Sequence, residues 1–280
     1  MSELSLGSAA EGYKQASLSI QRTSGEEFIQ FDVCPQPGDA ILDLGCGTGE
    51  LSAYLAELVG PEGKVIGIDP DEQRIKVARQ SHGKIKNLSF VEGSASNISD
   101  IFPESFDIIF SNYVLHWIAD KQEAFNNMFA SLKLGGKIAI QYLSHLPPVD
   151  INAYKELNPE NFDRICGMYH CESREKIEQF CISAGFEICK SFQANPPKSK
   201  RIFEDTKSLL DWHWSTTHGV FDPSLVTEER LQRYLAPYTE SNGVISVDVF
   251  EIKSDEGAFW RVIAKKERSY KVNANLIAGQ

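Results

Sequence analysis

A chain of 280 residues with 42% hydrophobic and 24% charged residues has the make-up of a single globular core carrying a substantial insertion. Its net charge is −11, and its Lys and Arg are scattered, with Lys198, Lys200 and Arg201 the densest group; a protein that displaces counterions from a phosphate backbone needs more, so no nucleic-acid partner is expected. No run approaches the ~20 consecutive apolar residues that span a bilayer, and MSELSLGSAAEGYKQ lacks the basic start and apolar centre of a secretory signal, so neither a membrane nor export is expected and the location reads as cytoplasmic.

Residues 1–9 read as a loose tail. From 41 to 141, short aliphatic runs at 41–44, 65–68, 88–91, 107–110 and 137–141 alternate with helix-like stretches. The runs are rich in Ile, Val and Leu without strict polar alternation, the pattern of strands buried on both faces of a parallel sheet. ELSAYLAELVG, DEQRIKVARQSHG and DKQEAFNNMFASLKLGG carry apolar residues at helical spacing, and the first and third are expected to end at their glycines. The alternation predicts right-handed βαβ units and an α/β fold. After Gln141 the rhythm breaks. SREKIEQFCISAGF reads as a helix closed by Gly185, leading into the strand FEICKSFQ, and AFWRVIAKK (258–266) as a last strand. Between them lie two excursions, 144–171 and 196–256, the second helical and aromatic, with Phe203, Trp212, Trp214, Phe221, Tyr234 and Tyr238. The six cysteines form no CxxC pair and no zinc spacing with histidine, so they read as reduced thiols and no metal site is expected.

ILDLGCGTGE, at the end of the first run, is a glycine loop leading into a helix. Glycine admits positive φ and close approach of a ligand, and the helix presents free N–H groups there. Asp69 ends the second run, where a carboxylate can accept from both ribose hydroxyls. Together these features predict an adenine nucleoside or dinucleotide. The dinucleotide fingerprint is G-x-G-x-x-G, whereas Gly45, Gly47 and Gly49 are spaced G-x-G-x-G and are followed by Glu50. Glu50 and Asp43 would face a diphosphate with like charge, yet suit a sulfonium and an ammonium. The residues therefore favour S-adenosylmethionine over NAD.

Asp43-Leu-Gly45-Cys46-Gly47-Thr-Gly49 resembles the first motif of class I S-adenosylmethionine-dependent methyltransferases, and the order Asp69, VEGSASN, FDIIFSNYVLHWI, LKLGGKIAI follows theirs. More closely, the chain resembles the juvenile hormone acid and trans-aconitate O-methyltransferases, through YKQASLSIQR (13–22), NYVLHW and LLDWHW…RLQRYLAPYTE. The resemblance implies one Rossmann-like, doubly wound domain over 1–280, with a mostly parallel seven-stranded sheet, an antiparallel last strand and helical caps at 144–171 and 196–256. It implies that a helical segment at 10–35 covers the cofactor. The cofactor residues it implies are Asp43, Gly45, Cys46, Gly47, Gly49, Asp69, Pro70, Ser94, Ala95, Ser111 and Asn112, together with Tyr13 and Gln21. Ser94 and Ala95 stand where relatives often carry an acid toward adenine.

The implied reaction is methylation of a small acid at its carboxylate, by a monomer or homodimer. An ionised carboxylate needs no general base; alignment and exclusion of water suffice. An amine or phenol, the alternative acceptors, would need a base. His116 and Trp117 follow the fourth run, where substrate contacts are expected, and Gln15 is a neutral donor suited to a carboxylate; these three are the expected catalytic residues. His145 and His213 are weaker candidates. Arg164, Arg201, Arg230 and Arg233 form no evident cluster, so the aromatic second excursion points to a partly apolar acid and away from a tricarboxylate. An NAD-dependent oxidoreductase and an inactive cofactor-binding module are the other readings.

Overall fold

The computed structural model describes residues 21–194, 201–240, 244–247 and 259–267. Tyr13 and Gln15 lie outside the described residues. The strands are β1 (Ala40–Leu44), β2 (Lys64–Asp69), β3 (Leu88–Glu92), β4 (Phe106–Asn112), β5 (Leu132–Leu143), β6 (Glu187–Gln193), β7 (Arg201–Phe203), β8 (Ile245–Val247) and β9 (Phe259–Lys265). Seven of them form one sheet in the order β3-β2-β1-β4-β5-β9-β6, with β9 antiparallel to both neighbours and the other described pairings parallel. The fold is the expected Rossmann-like one.

Alternation along each strand sends side chains to both faces. Leu42, Ile109, Ile138 and Val262 enter one core, and Ile41, Ile108, Ala139 and Ile263 enter the other. Burying each large aliphatic side chain contributes about 1.5–3 kcal/mol, which explains why these runs carry no polar face. The covering helices are α1 (Thr23–Phe28), which continues as a π turn over Ile29–Val33, α2 (Glu50–Val59), α3 (Glu72–His82), the single turn α4 (Ile98–Ile101) and α5 (Lys121–Ser131). Asp71 caps α3 by accepting from Gln73 N and Arg74 N.

One boundary differs from the sequence reading. α5 stops at Ser131, and LKLGG begins β5 instead of ending the helix. Leu132 pairs with Phe106, then the register jumps to Lys137 opposite Ile108. The extra residues bulge, held by Lys133 Nζ on Asp107 at 2.7 Å and by Gly135 N donating to Lys266 O at 2.8 Å. Gly135, at φ +83, supplies the turn inside the strand.

Past β5 come α6 (Pro148–Leu157) and α7 (Phe162–Gly167), then α8 (Arg174–Ala184), capped by Ser173 and ended by Gly185 as expected. The second excursion holds α9 (Thr206–Thr216), α10 (Glu228–Leu235) and the antiparallel pair β7–β8, which the sequence reading missed. α6, α7, α9 and α10 share a third core with Tyr154, Phe203, Trp212, Phe221 and Tyr234. This corrects the aromatic argument: most of those rings are buried within the cap and do not display an apolar surface to a ligand.

Candidate active site

The order of the strands reverses at β1, whose two neighbours β2 and β4 lead outward in opposite directions, and α/β folds hold ligands at the carboxyl end of such a point. The glycine loop lies there. Gly45 N and Cys46 N both donate to Ile68 O, at 2.8 and 3.0 Å, turning the chain sharply after β1. A Cβ on Gly45 (φ +76) would meet Val114 Cγ2 at 2.3 Å, whereas one on Gly47 (φ +56) would meet nothing within 4 Å. Gly45 is thus required by the packing of the protein, and Gly47 faces open space on the ligand side.

A cleft opens over this loop, lined by Gln21, Arg22, Asp43, Gly45, Cys46, Gly47, Thr48, Glu50, Leu51, Asp69, Pro70, Arg74, Asn112, Tyr113, Val114, Trp117 and His218. A second cavity continues past Gly45, Pro70, Val114 and Trp117 to Gly93, Ser94, Ala95 and Ile118. A wider groove of about 960 Å³ lies behind α2, between Tyr54, Lys64, His82 and Asn87; it meets the cleft at Arg22 and Glu50 but contains none of the three loop glycines.

The acids of the cleft are held in distinct ways. Asp69 Oδ2 accepts from Gly47 N and its Oδ1 from Asp71 N, both at 3.0 Å, which fixes the carboxylate and leaves acceptor capacity for a diol. Asp43 is buried and accepts from Ser52 Oγ at 2.5 Å. Burial pushes its carboxyl up to about 7; the Ser52 hydrogen bond opposes that rise, and the charges of Asp69 and Glu50 add to it. Thr48 Oγ1 donates to Glu50 Oε2 at 2.6 Å at the start of α2. Three carboxyl groups crowding one glycine loop suit a cationic ligand and disfavour a diphosphate. The donor set therefore fits S-adenosylmethionine: a diol acceptor at Asp69, an open glycine at Gly47, and negative charge where a sulfonium and an ammonium would lie.

Of the expected cofactor residues, Gln21, Asp43, Gly45, Cys46, Gly47, Asp69, Pro70 and Asn112 line the cleft, and Ser94 and Ala95 line the adjoining cavity. Gly49 lies behind the loop, where a Cβ would meet Phe90 Cζ at 2.6 Å. Ser111 is fully buried and donates to Leu44 O at 3.0 Å, tying β4 to β1 beneath the cleft. Asn112 Nδ2 donates to Gln21 O at 3.2 Å, so the lip of the N-terminal segment is held by the end of β4. Burial pushes the Cys46 thiol up, which makes it a poor nucleophile.

Trp117 lines both the cleft and the adjoining cavity. His116 lines neither: it is buried, stacked on Tyr169 at 5.9 Å, and burial with the nearby Lys121 charge lowers its pKa to about 3. An imidazole so reluctant to take a proton is a poor general base. His213 sits in the cap core against Tyr154 and Phe221, with its pKa lowered to about 3 by burial. His145 is exposed and outside the cleft, its Nδ1 3.1 Å from Ser144 Oγ. Three of the four cap arginines are engaged elsewhere: Arg201 with Asp150 at 2.7 Å and stacked on Trp212, Arg230 with Glu160 at 2.8 Å, Arg233 with Glu156 at 3.1 Å.

The sequence reading missed Tyr113, Val114, Arg74 and His218. Tyr113 and His218 are non-glycine residues at positive φ, +60 and +49. A periodicity argument carries no signal for that geometry.

Residues 35–205 match the family model described as a methyltransferase domain. The juvenile hormone acid O-methyltransferase of Bombyx mori is 31% identical over 142 residues, which cover 48% of this chain and 50% of that protein. The arsenite methyltransferase of Halobacterium salinarum is 28% identical over 197 residues, 69% of this chain and 47% of that protein. This chain spans about half the length of these curated relatives. Among solved structures, phosphoethanolamine N-methyltransferase 2 of Haemonchus contortus, in complex with S-adenosyl-L-methionine, superimposes with a TM-score of 0.61 at 18% identity, covering 93% of this chain and 57% of that one, a likeness of fold. With the family model matched across 35–205 and the seven-stranded sheet in place, this chain belongs to the class I S-adenosylmethionine-dependent methyltransferases.

Proposed function

We propose that this protein transfers a methyl group from S-adenosylmethionine to the carboxylate of a small, partly apolar acid, giving a methyl ester. The observation that carries the donor half is the cleft itself, in which Gly47 is open and Asp69 is pinned by two backbone amides beside Asp43 and Glu50. S-adenosylmethionine supplies an electrophilic methyl on a sulfonium. Asp69 would take the ribose hydroxyls, the loop around Gly47 the methionine portion, and Ser94 with Ala95 the edge of the adenine.

The acceptor half rests on the lip. Leu51, Tyr113, Val114 and Trp117 line the cleft with apolar surface, and Gln21, Arg22 and Asn112 add polar side chains to the same cleft. Arg201, Arg230 and Arg233 are held in ion pairs, so no cluster of cap arginines converges as a tricarboxylate would need. The juvenile hormone acid O-methyltransferase relative favours the same class of acceptor. Transfer forms the O–CH₃ bond as the S–CH₃ bond breaks; the carboxylate and sulfonium charges cancel, and no proton is released. The side chains therefore need only align the oxygen and exclude water. A carboxylate acceptor is also compatible with a His116 that is a poor base.

The test uses S-adenosylmethionine labelled in its methyl group with dodecanoic acid, trans-aconitate, tyramine and catechol as acceptors. The proposal expects label in dodecanoate, released as methanol by mild alkali. Alkali-stable label in tyramine or catechol alone would replace it with N- or phenol O-methylation. S-adenosylhomocysteine binding without transfer to any of the four would point to an inactive module.

A further inference from the structure

Among the described residues of the second excursion, His218 lines the cleft. α9 ends at Thr216, and the chain turns back with His218 N donating to Ser215 O at 3.3 Å and Gly219 N to Trp214 O at 2.8 Å. Two successive residues adopt positive φ here, His218 at +49 and Gly219 at +80. Glycine takes this conformation freely, whereas a side chain bearing a Cβ is held there at a cost of about 1–2 kcal/mol. These two bonds form a common helix C-terminal cap, whose left-handed position is usually glycine, so a histidine there carries a backbone cost that glycine would not.

The His218 ring meets Trp117 edge-on at 5.2 Å and lines the cleft. The charged groups acting on it are those of Arg74, Asp71 and Asp69, which belong to the end of β2 and the start of α3. The imidazole thus lines the same cleft as Asp69 and Arg74. Asp69 is the carboxylate of that cleft suited to a diol.

Resting on the reading of this cleft as the methyl-donor site, we infer that His218 is a donor-binding residue supplied by the cap, covering the ribose from the face opposite Asp69 and closing the nucleoside between the cap and the sheet. Trp117 orients the ring by its edge contact, and the left-handed backbone aims it inward. The cap is then part of the donor site as well as a wall for the acceptor. Because the strain serves ligand contact, stability and binding respond to substitution in opposite directions.

The experiment compares wild type, H218G and H218N in the full chain by calorimetric titration with S-adenosylhomocysteine and by thermal unfolding without ligand. Glycine relieves the backbone and removes the ring; asparagine tolerates positive φ and retains a hydrogen-bonding side chain. H218G is expected to unfold at or above the wild-type temperature and to bind about 10-fold more weakly, the loss of one hydrogen bond to a bound ligand. H218N is expected to regain at least half of that loss on a logarithmic scale. Wild-type affinity in H218G overturns the inference alone. A wild-type protein that fails to bind S-adenosylhomocysteine overturns the donor reading and this inference with it.

Discussion

Replacing Arg261 by Met tests how the N-terminal segment is fastened to the sheet. From β9, Arg261 Nε donates to Gln141 Oε1 at 2.7 Å, Nη1 to Asp32 Oδ2 at 2.8 Å and Nη2 to Ser24 O at 3.3 Å. Gln141 Nε2 in turn donates to Ser24 Oγ at 2.8 Å and to Asn112 Oδ1 at 2.9 Å, and Asn112 holds Gln21 O at the cleft. Methionine fills much of the volume but leaves the fully buried Gln141 oxygen without its donor, at about 1–3 kcal/mol. Breaking a buried ion pair adds up to about 3–5 kcal/mol. That second figure is reduced here because the Asp32 side chain is 15% exposed and keeps Lys190 Nζ at 3.8 Å. The expected destabilisation is about 3 kcal/mol, read as a fall in the urea midpoint or a drop of roughly 6–12 °C in Tm. Affinity for S-adenosylhomocysteine should fall as well, since Gln141, which positions Asn112 and through it Gln21, loses its own support, and R261K should recover part of both. A loss below about 1 kcal/mol would refute the claim that this buried network secures the residue 21–33 segment.

Asp43 gives a pH signature: its carboxyl, raised to about 7, is neutral below that pH and ionised above it. Affinity for the cationic donor should therefore rise with pH toward 7, by at most about tenfold per unit, and flatten in D43N; an unaltered pH profile in D43N would count against the assignment. In the empty protein the same group contributes stability at low pH that is lost between 3.8 and about 7. G45A should cost about 2–4 kcal/mol in denaturant unfolding, from its positive φ and the Val114 clash together, and adding V114A should restore only the clash portion. H116F should keep methyl transfer and lessen the loss of stability as pH falls from 6.5 toward 3, because the wild-type imidazole, lowered to about 3 by burial, resists protonation in the fold. Abolished transfer in a folded H116F would reinstate His116 as a participant.

Much of the sheet was legible because it rests on local pattern. Ile41, Leu42, Ile108 and Ile109 are apolar in sequence for the same reason that they are buried from both sides. The loop was legible too, since Gly45 and Asp69 lie at fixed intervals along one βαβ unit. The start of β5 was not, because Leu132 joins a strand through pairing with Phe106, 26 residues away, and a glycine pair that ends many helices instead forms a bulge. The cap aromatics misled for a related reason: composition does not say whether Trp212 or Phe221 faces a ligand or its own core. His218 was invisible because it reaches Trp117 across 101 residues from a turn whose backbone geometry leaves no mark in hydropathy. His116 and Trp117, adjacent in sequence and with their rings 5.1 Å apart, differ in exposure, one buried and one lining the cleft.

The most direct measurement is titration of the purified full chain with S-adenosylhomocysteine and, separately, with NAD, repeated with D69A. The account predicts saturable binding of S-adenosylhomocysteine, no comparable binding of NAD, and affinity weakened about 10- to 100-fold in D69A, the loss of charged hydrogen bonds to the ribose. Binding of NAD in preference to S-adenosylhomocysteine, or an unchanged affinity in D69A, would contradict it.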